Sequence, residues 1–230
     1  MRALLLPVKD LKNAKKRLSN VLTSEERFGL AEAMLADTIR AVRRARLAEK
    51  IFVATSYEPV MNIAEESGWE IIRETQQISE SDSVDAASRI CEERGVTGLL
   101  RVPLDLPLLR SQDIDDLLAI DCQAPALVIV PSRDGTGTNA MLRTPPTMFP
   151  SNFGNGSFAK HLAEAEKARA HIIVRRNARL EMDVDDESDL RALLEQDLKE
   201  TETGKWLRDS GVGARLDSKA ETEAKFAAGS

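Results

Sequence analysis

A chain of 230 residues is long enough for one large α/β domain or two small ones, and a single domain over residues 1–199 with an extension over 200–230 is the expected division. With 42% hydrophobic and 30% charged residues the composition is that of an ordinary soluble globular protein, and 4% aromatic residues leave too few rings for a platform on which single-stranded nucleic acid would stack. A net charge of -6 excludes global attraction to nucleic acid or to an anionic membrane, so an anionic substrate must be held by a local basic cluster.

No apolar run approaches the roughly 18 to 20 residues that cross a bilayer, and the stretch from Met1 to Pro7 is too short for the apolar core of a signal peptide. Cys91 and Cys122 lack metal-ligand spacing, so a reducing cytoplasm is the expected compartment. Two histidines cannot build a histidine-based metal centre, and a bound metal would therefore take oxygen ligands and be Mg or Mn rather than Zn.

In chain order, Ala3 to Val8 reads as a short apolar strand that runs directly into Lys9-Asp-Leu-Lys-Asn-Ala-Lys-Lys-Arg17, five basic residues in nine. Such a run is often a solvated face, but in doubly wound folds the loop after the first strand commonly holds phosphates. Thr23-Ser-Glu-Glu26 has the capping-box pattern, and Phe28, Ala31, Met34, Leu35, Thr38, Ile39 and Val42 continue at helical spacing. Ile51 to Thr55, Glu58 to Ser67 and Trp69 to Arg73 predict strand, helix and strand. Gln76 to Ser83 reads as a polar loop and Val84 to Glu93 as a helix.

Leu99 to Leu109 is an apolar run that breaks off at Asp105 and is closed by Pro107, which predicts a buried parallel strand delivering one carboxylate at its end. Ligands of such sheets bind beyond the carboxyl ends of the strands, although an Asp before Leu-Pro could equally cap a turn. Ser111 is expected to cap the next helix, and Ala126 to Val130 is a fifth strand. The alternation of strands and helices predicts right-handed crossovers and a mainly parallel sheet.

The turn from Pro131 to Ala140 carries Gly135 and Gly137 and precedes a short strand, Ala140 to Leu142. Glycine-rich turns can expose successive amides to an anion, though many are plain hairpins. A second cluster, Phe153-Gly-Asn-Gly-Ser157, opens a helix over Phe158 to Ala168, where a small-residue helix start either binds an anion or simply caps. After a strand at His171 to Val174, Leu180 to Asp185 predicts a last short strand. Asp183 and Asp185 then share one face, opposite Met182 and Val184, and repel each other unless a cation sits between them. Mg is the economical partner, with Asp105 as a third oxygen donor. Asp185 or Asp186 could instead cap the helix over Asp189 to Leu198, which leaves Asp183 without an explanation. His161 and His171 are taken as ordinary histidines. Beyond Glu200 the chain is polar apart from Trp206-Leu207, and Asp217 to Ser230 reads as a frayed or disordered tail.

With these residues in place the chain resembles the guanylyltransferases of deazaflavin coenzyme (F-420) biosynthesis, the family of 2-phospho-L-lactate and phosphoenolpyruvate guanylyltransferases. The resemblance runs from the first strand to about Leu190 and rests on Pro7-Val-Lys9, Ala14-Lys-Lys-Arg-Leu18, Asp105-Leu-Pro107, Gly135-Thr-Gly-Thr-Asn139, Phe153-Gly154 with Ser157, and Asp183-Val-Asp185. It implies a Rossmann-like nucleotidyltransferase fold of the glycosyltransferase-A type, with GTP as donor and a small phosphorylated acid as acceptor. It further implies Mg held by Asp105, Asp183 and Asp185, the acceptor's phosphate held by Thr138, Gly154 and Ser157, and the nucleotide phosphates covered by Lys9, Lys15 and Arg17. The sequence departs from the family's usual pattern at Leu104, where glycine is common, and at Asp85, where asparagine is common. A carboxylate at Asp85, or at Asp82, could accept both the N1–H and the exocyclic amino group of guanine.

The competing readings are a sugar-phosphate or molybdopterin-type nucleotidyltransferase on the same fold, and a phosphometabolite-binding regulator without turnover. The first usually carries a glycine-rich first loop, which is absent here. The second gains nothing from clustered carboxylates. Among phosphoenolpyruvate, 2-phospholactate and 3-phosphoglycerate, the resemblance favours phosphoenolpyruvate as the acceptor, and homodimer formation is left open.

Overall fold

A computed structural model describes residues 1–75 and 79–216. Seven strands, β1 (Arg2–Val8), β2 (Lys50–Thr55), β3 (Glu70–Arg73), β4 (Gly98–Arg101), β5 (Ala126–Pro131), β6 (Thr138–Thr144) and β7 (His171–Val174), form one sheet in the order β3-β2-β1-β4-β6-β5-β7. β6 runs antiparallel to both of its neighbours, and every other pairing is parallel. The expected mainly parallel α/β fold is therefore the observed one, with a single reversed strand.

The residues of β1 explain its place inside the sheet. Leu4, Leu6 and Val8 face α1 (Ser24–Arg44) and α4 (Ser111–Leu118) in a core shared with Ala31, Leu35, Ile39 and Ile114, while Ala3 and Leu5 face α3 (Glu80–Glu93) through Val84, Ala87 and Cys91. Both faces are covered, which is why the strand is apolar without alternation. α2 (Glu58–Glu66) leads from β2 to β3, and α5 (Ser157–Lys167) covers Leu127, Ile129 and Met141. α1 begins with the predicted capping box: Thr23 Oγ1 accepts from the Glu26 amide at 3.2 Å and the Glu26 carboxylate accepts from the Thr23 amide at 2.8 Å.

Four local expectations change. β4 ends at Arg101, so Asp105 stands four residues beyond the strand, in the loop that follows it. Residues 80–83, expected as loop, are the first turn of α3, because Ser79 Oγ caps the Asp82 amide at 3.1 Å; Gln76 to Ile78 lie outside the described residues. Ser111 is the first residue of α4 rather than its cap, and the Asp113 carboxylate reaches back to the Arg110 amide at 3.0 Å. Leu180 to Asp185 is not a strand. The Asn177 side chain caps the Arg179 amide at 3.0 Å and Glu181 returns to the Asn177 amide at 2.6 Å, which closes a helical turn, α6 (Ala178–Glu181). The alternation survives without a sheet partner: Met182 and Val184 are buried, and Asp183 and Asp185 face the opposite way.

Asp186 caps α7 (Glu187–Leu194) by accepting from the Asp189 amide at 3.1 Å, so Asp185 is released from that duty. Beyond it, α8 (Glu202–Asp209) docks on α1. The buried Asp37 carboxylate of α1 accepts from the Glu202 amide at 2.8 Å, the Thr203 amide at 2.9 Å and the Thr203 hydroxyl at 2.7 Å. The tail from Asp217 onward lies outside the described residues.

Candidate active site

The carboxyl ends of β1 and β4 open into a cleft of about 990 Å³. One wall is the loop after β1, with Lys9, Lys15 and Arg17. The floor carries Asp105, Asp183 and Asp185, and the far wall is built from the turn before β6 and the loop before α5, with Thr138, Gly154 and Ser157. Nine of the eleven site residues expected from the sequence thus meet in one place, although they come from segments up to 176 positions apart, from Lys9 to Asp185.

On the basic wall two 3₁₀ turns, Leu11–Asn13 and Lys16–Leu18, flank Lys15, which adopts a left-handed backbone with φ 52°. That conformation disfavours a residue with a Cβ. The Lys15 ammonium donates to Asp105 Oδ2 at 2.8 Å and to Asp185 Oδ1 at 3.0 Å. Burial alone would lower the Lys15 pKa, but the two carboxylates outweigh it and the pKa is raised, so the lysine is cationic. For Asp105, burial is likewise opposed by Lys15 and Arg101, and its pKa is lowered. Arg17 is 74% exposed, with its guanidinium 3.8 Å from Asp185, and Lys9 is exposed at the mouth.

Asp183 is the uncompensated member. Burial and then the charge of Asp105 push its pKa up to about 6, against hydrogen bonds from Asn139 Nδ2 at 3.1 Å and from its own backbone. Hard carboxylate oxygens and an unrelieved negative charge suit a divalent ion such as Mg or Mn. Among the described residues no three acidic, histidine or cysteine side chains are gathered tightly enough to form a ready-made metal cage. The cation between Asp105 and Asp185 is the Lys15 ammonium.

The far wall works differently from its expected amide concavity. The Asp134 carboxylate accepts from the Thr136 amide at 2.9 Å, Ser132 Oγ accepts from the Gly137 amide at 2.7 Å, and the Gly135 amide donates to the Ser132 carbonyl at 2.9 Å. These amides are satisfied inside the turn and are not offered to an anion. Hydrogen bonds from Ser132 and Thr136 hold the Asp134 pKa down at about 2, so the lock persists in weak acid. Gly137 lets the turn close on Ser132, since a Cβ there would stand 2.9 Å from Ser132 Oγ and displace it. At the start of α5 the Ser157 and Phe158 amides are also taken, by the Gly154 and Thr136 carbonyls at 3.1 and 3.0 Å. What this wall offers is the hydroxyls of Thr138 and Ser157 and the backbone of Gly154, whose φ of +106° needs glycine.

Asp82 and Asp85 are not brought to the cleft. Asp82 accepts from Ser79 Oγ in the cap of α3, at 2.6 Å. Asp85 acts as a structural clamp: its oxygens accept from the Ser151 amide at 3.0 Å and from Arg143 Nη1 at 3.4 Å, outside the lining of the cleft. Two further groups stand out, Arg101 in the lining of the cleft and His161 beneath it. Arg101, only 5% exposed, pairs with Glu80, donates to the Asn139 carbonyl at 3.2 Å and lies 4.2 Å over the Phe153 ring. Burial lowers its pKa to about 10, with Asp105 and Asp183 opposing. A charge inside the apolar run Leu99-Leu-Arg-Val102 was the visible signal. The other is His161, fully buried, with Nδ1 2.9 Å from Thr138 Oγ1 and Nε2 accepting from the Asn152 amide at 2.9 Å. Its spacing of four from Ser157 was the signal there.

A family profile described as "Guanylyl transferase CofC like" matches residues 1–227. A phosphoenolpyruvate guanylyltransferase of Rubrobacter xylanophilus is 34% identical over 188 residues, covering 82% of this chain and 91% of its own length. A 2-phospho-L-lactate guanylyltransferase of Methanothermobacter thermautotrophicus is 30% identical over 190 residues, covering 83% and 82%. Among solved structures, one described as a candidate nucleotide-diphospho-sugar transferase from Desulfovibrio desulfuricans superposes with a TM-score of 0.75 at 16% identity, covering 94% of this chain and 97% of its own, which speaks for the nucleotidyltransferase fold. A profile match across nearly the whole length, together with relatives of this identity and coverage, shows that the chain belongs to the CofC-like guanylyl transferase family and is a guanylyltransferase.

Proposed function

We propose that this enzyme moves GMP from GTP to the phosphate of a three-carbon phosphoacid, with phosphoenolpyruvate as the favoured acceptor and release of pyrophosphate, and that the product enters deazaflavin coenzyme biosynthesis. The observation that carries the reading is the opposition of the two walls: a cationic loop with Lys9, Lys15 and Arg17 faces hydroxyls at Thr138 and Ser157 across a floor of carboxylates. In this reading the basic loop covers the triphosphate, and Thr138, Gly154 and Ser157 hold the acceptor's phosphate.

An acceptor phosphate oxygen attacks the α-phosphorus, the bond to the bridging oxygen breaks, and pyrophosphate leaves with the electron pair. The second pKa of a phosphate monoester is about 6, so the nucleophile is already ionised at neutral pH and needs no general base. His161 is consistent with this, since both its ring nitrogens are engaged within the protein. The enzyme's task is to align two mutually repelling anions and to neutralise the charge that gathers on the pyrophosphate. Lys15 serves the second need by leaving Asp105 and Asp185 for the phosphates. Asp105, Asp183 and Asp185 would hold Mg or Mn, which when bound supplies Lewis-acid stabilisation of the transferring phosphoryl group.

The direct test is incubation with GTP, Mg and each of phosphoenolpyruvate, 2-phospholactate and 3-phosphoglycerate separately, with the product identified by mass. Transfer to a sugar phosphate but to none of the three acids would replace this reading with the sugar-phosphate alternative.

A further inference from the structure

His161 lies beneath the acceptor wall and joins its three parts. It stands on α5, one turn after Ser157; Nδ1 is 2.9 Å from Thr138 Oγ1 at the start of β6; and Nε2 is 2.9 Å from the backbone nitrogen of Asn152, two residues before Gly154. A backbone N–H can only donate, so Nε2 must be the accepting nitrogen. A neutral imidazole with an accepting Nε2 carries its proton on Nδ1, and that proton points at Thr138. Burial and the nearby Arg143 and Arg101 push the His161 pKa down to about 3, so the ring is neutral at working pH. The Phe153 ring, edge-on at 5.0 Å between centroids, limits its rotation.

The consequence falls on Thr138. Its hydroxyl accepts from His161 and retains its own proton, for which the described residues supply no acceptor, while the residue lines the cleft. We propose that His161 is a positioning residue that fixes the Thr138 hydroxyl as a hydrogen-bond donor aimed at the acceptor's phosphate and, through Asn152, holds the Gly154 loop in register with it. The proposal rests on the acceptor reading of this wall. A threonine hydroxyl is otherwise free to rotate and can present a lone pair, which would repel an anion. With one of its two lone pairs taken by the His161 N–H, the hydroxyl cannot spend its proton on the imidazole, and that proton is kept for the phosphate.

The tautomer is read first, in the wild type, from the ¹⁵N chemical shifts of the His161 ring at pH 7. Nδ1 is expected in the protonated range and Nε2 in the unprotonated range, and the reverse assignment overturns the proposal. Two variants then separate the two nitrogens. H161N places an amide donor near Nδ1, whereas H161Q places its polar end near Nε2 and withdraws the donor from Thr138. H161Q should raise the acceptor KM about 5- to 20-fold, short of the full loss of a hydrogen bond to a charged group, with the GTP KM unchanged; H161N should recover most of that loss. In a Thr138→Val background the difference between H161Q and H161N should vanish. Equal effects on both substrates, or a difference that persists without the Thr138 hydroxyl, overturns the proposal. A wild type that transfers GMP to none of the three acids overturns the functional reading instead, and with it the acceptor half of this one.

Discussion

Asp183 offers a test in which stability and activity move in opposite directions. Its carboxyl has a pKa of about 6 in the fold against an ordinary 3.8, a difference equivalent to about 3 kcal/mol at 1.36 kcal/mol per tenfold. The side chain faces an open cleft, so solvent screening reduces the usable part to about 1 to 3 kcal/mol. A raised pKa in the fold means that the fold disfavours the charged form. Below pH 3.8 the group is neutral in both states and its contribution is fully present; that contribution is lost as pH rises through 6. Asp183→Asn removes the charge and keeps an oxygen to accept from Asn139. Without divalent ions at pH 8 the variant should therefore melt about 3 to 10 °C above the parent, since 1 kcal/mol is worth about 2 to 4 °C in a domain of this size. The gap should close as pH falls towards 4. Turnover should fall at least about a hundredfold, and Mg should raise the melting temperature of the parent but not of the variant. Differential scanning fluorimetry across pH, with EDTA and with Mg, reads all of this. A variant no more stable than the parent at pH 8, or a gap independent of pH, would refute the account of Asp183.

Lys15→Ala and Arg17→Ala should weaken productive GTP use, and raising the ionic strength should weaken the parent in the same sense; initial rates at low and high salt that match in all three proteins would leave the loop a solvated face. Ser157→Ala should raise the acceptor KM about 10- to 150-fold with little change for GTP, the worth of one hydrogen bond to a charged group. Gly154→Ala should do worse in acceptor kinetics, because φ is +106° there even though a Cβ would meet nothing within 4 Å in the free protein. Asp85→Ala should act on the fold, not on the base. It leaves the buried Arg143 short of its carboxylate and should cost about 2 to 4 kcal/mol in denaturant unfolding, whereas a GTP KM that rises with unchanged stability would return Asp85 to nucleotide recognition.

The parts of the molecule legible in its sequence are those governed by neighbours in the chain. The capping box at Thr23 and Glu26, the apolar run of β1 and the order of strands and helices all depend on residues a few positions apart. The alternation at Met182 to Asp185 was legible for the same reason, and it points the two carboxylates correctly although the expected strand is a helical turn and a loop. What escaped was set by partners distant in sequence. Asp85 looks like a free carboxylate until Ser151, 66 positions away, claims both oxygens. The amides of the glycine-rich turn look available until Asp134 and Ser132 fold back on them. Arg101 and His161 carry only a faint local signal, a charge in an apolar run and a spacing of four from Ser157, and their meaning comes from Glu80, Thr138 and Asn152, which the fold brings to them.

The docking of α8 has a consequence for where this enzyme can be cut. Leu207, Val212 and Leu216 belong to one apolar cluster with Leu18, directly after the basic loop, and with Met182 and Val184, which alternate with two of the floor carboxylates. A polypeptide ending at residue 199 would retain every side chain that lines the cleft, yet the basic wall and the carboxylate floor would lose the surface they rest on. The segment beyond residue 199 is thus the ballast of the catalytic face: its removal would leave the reactive groups present and let them drift.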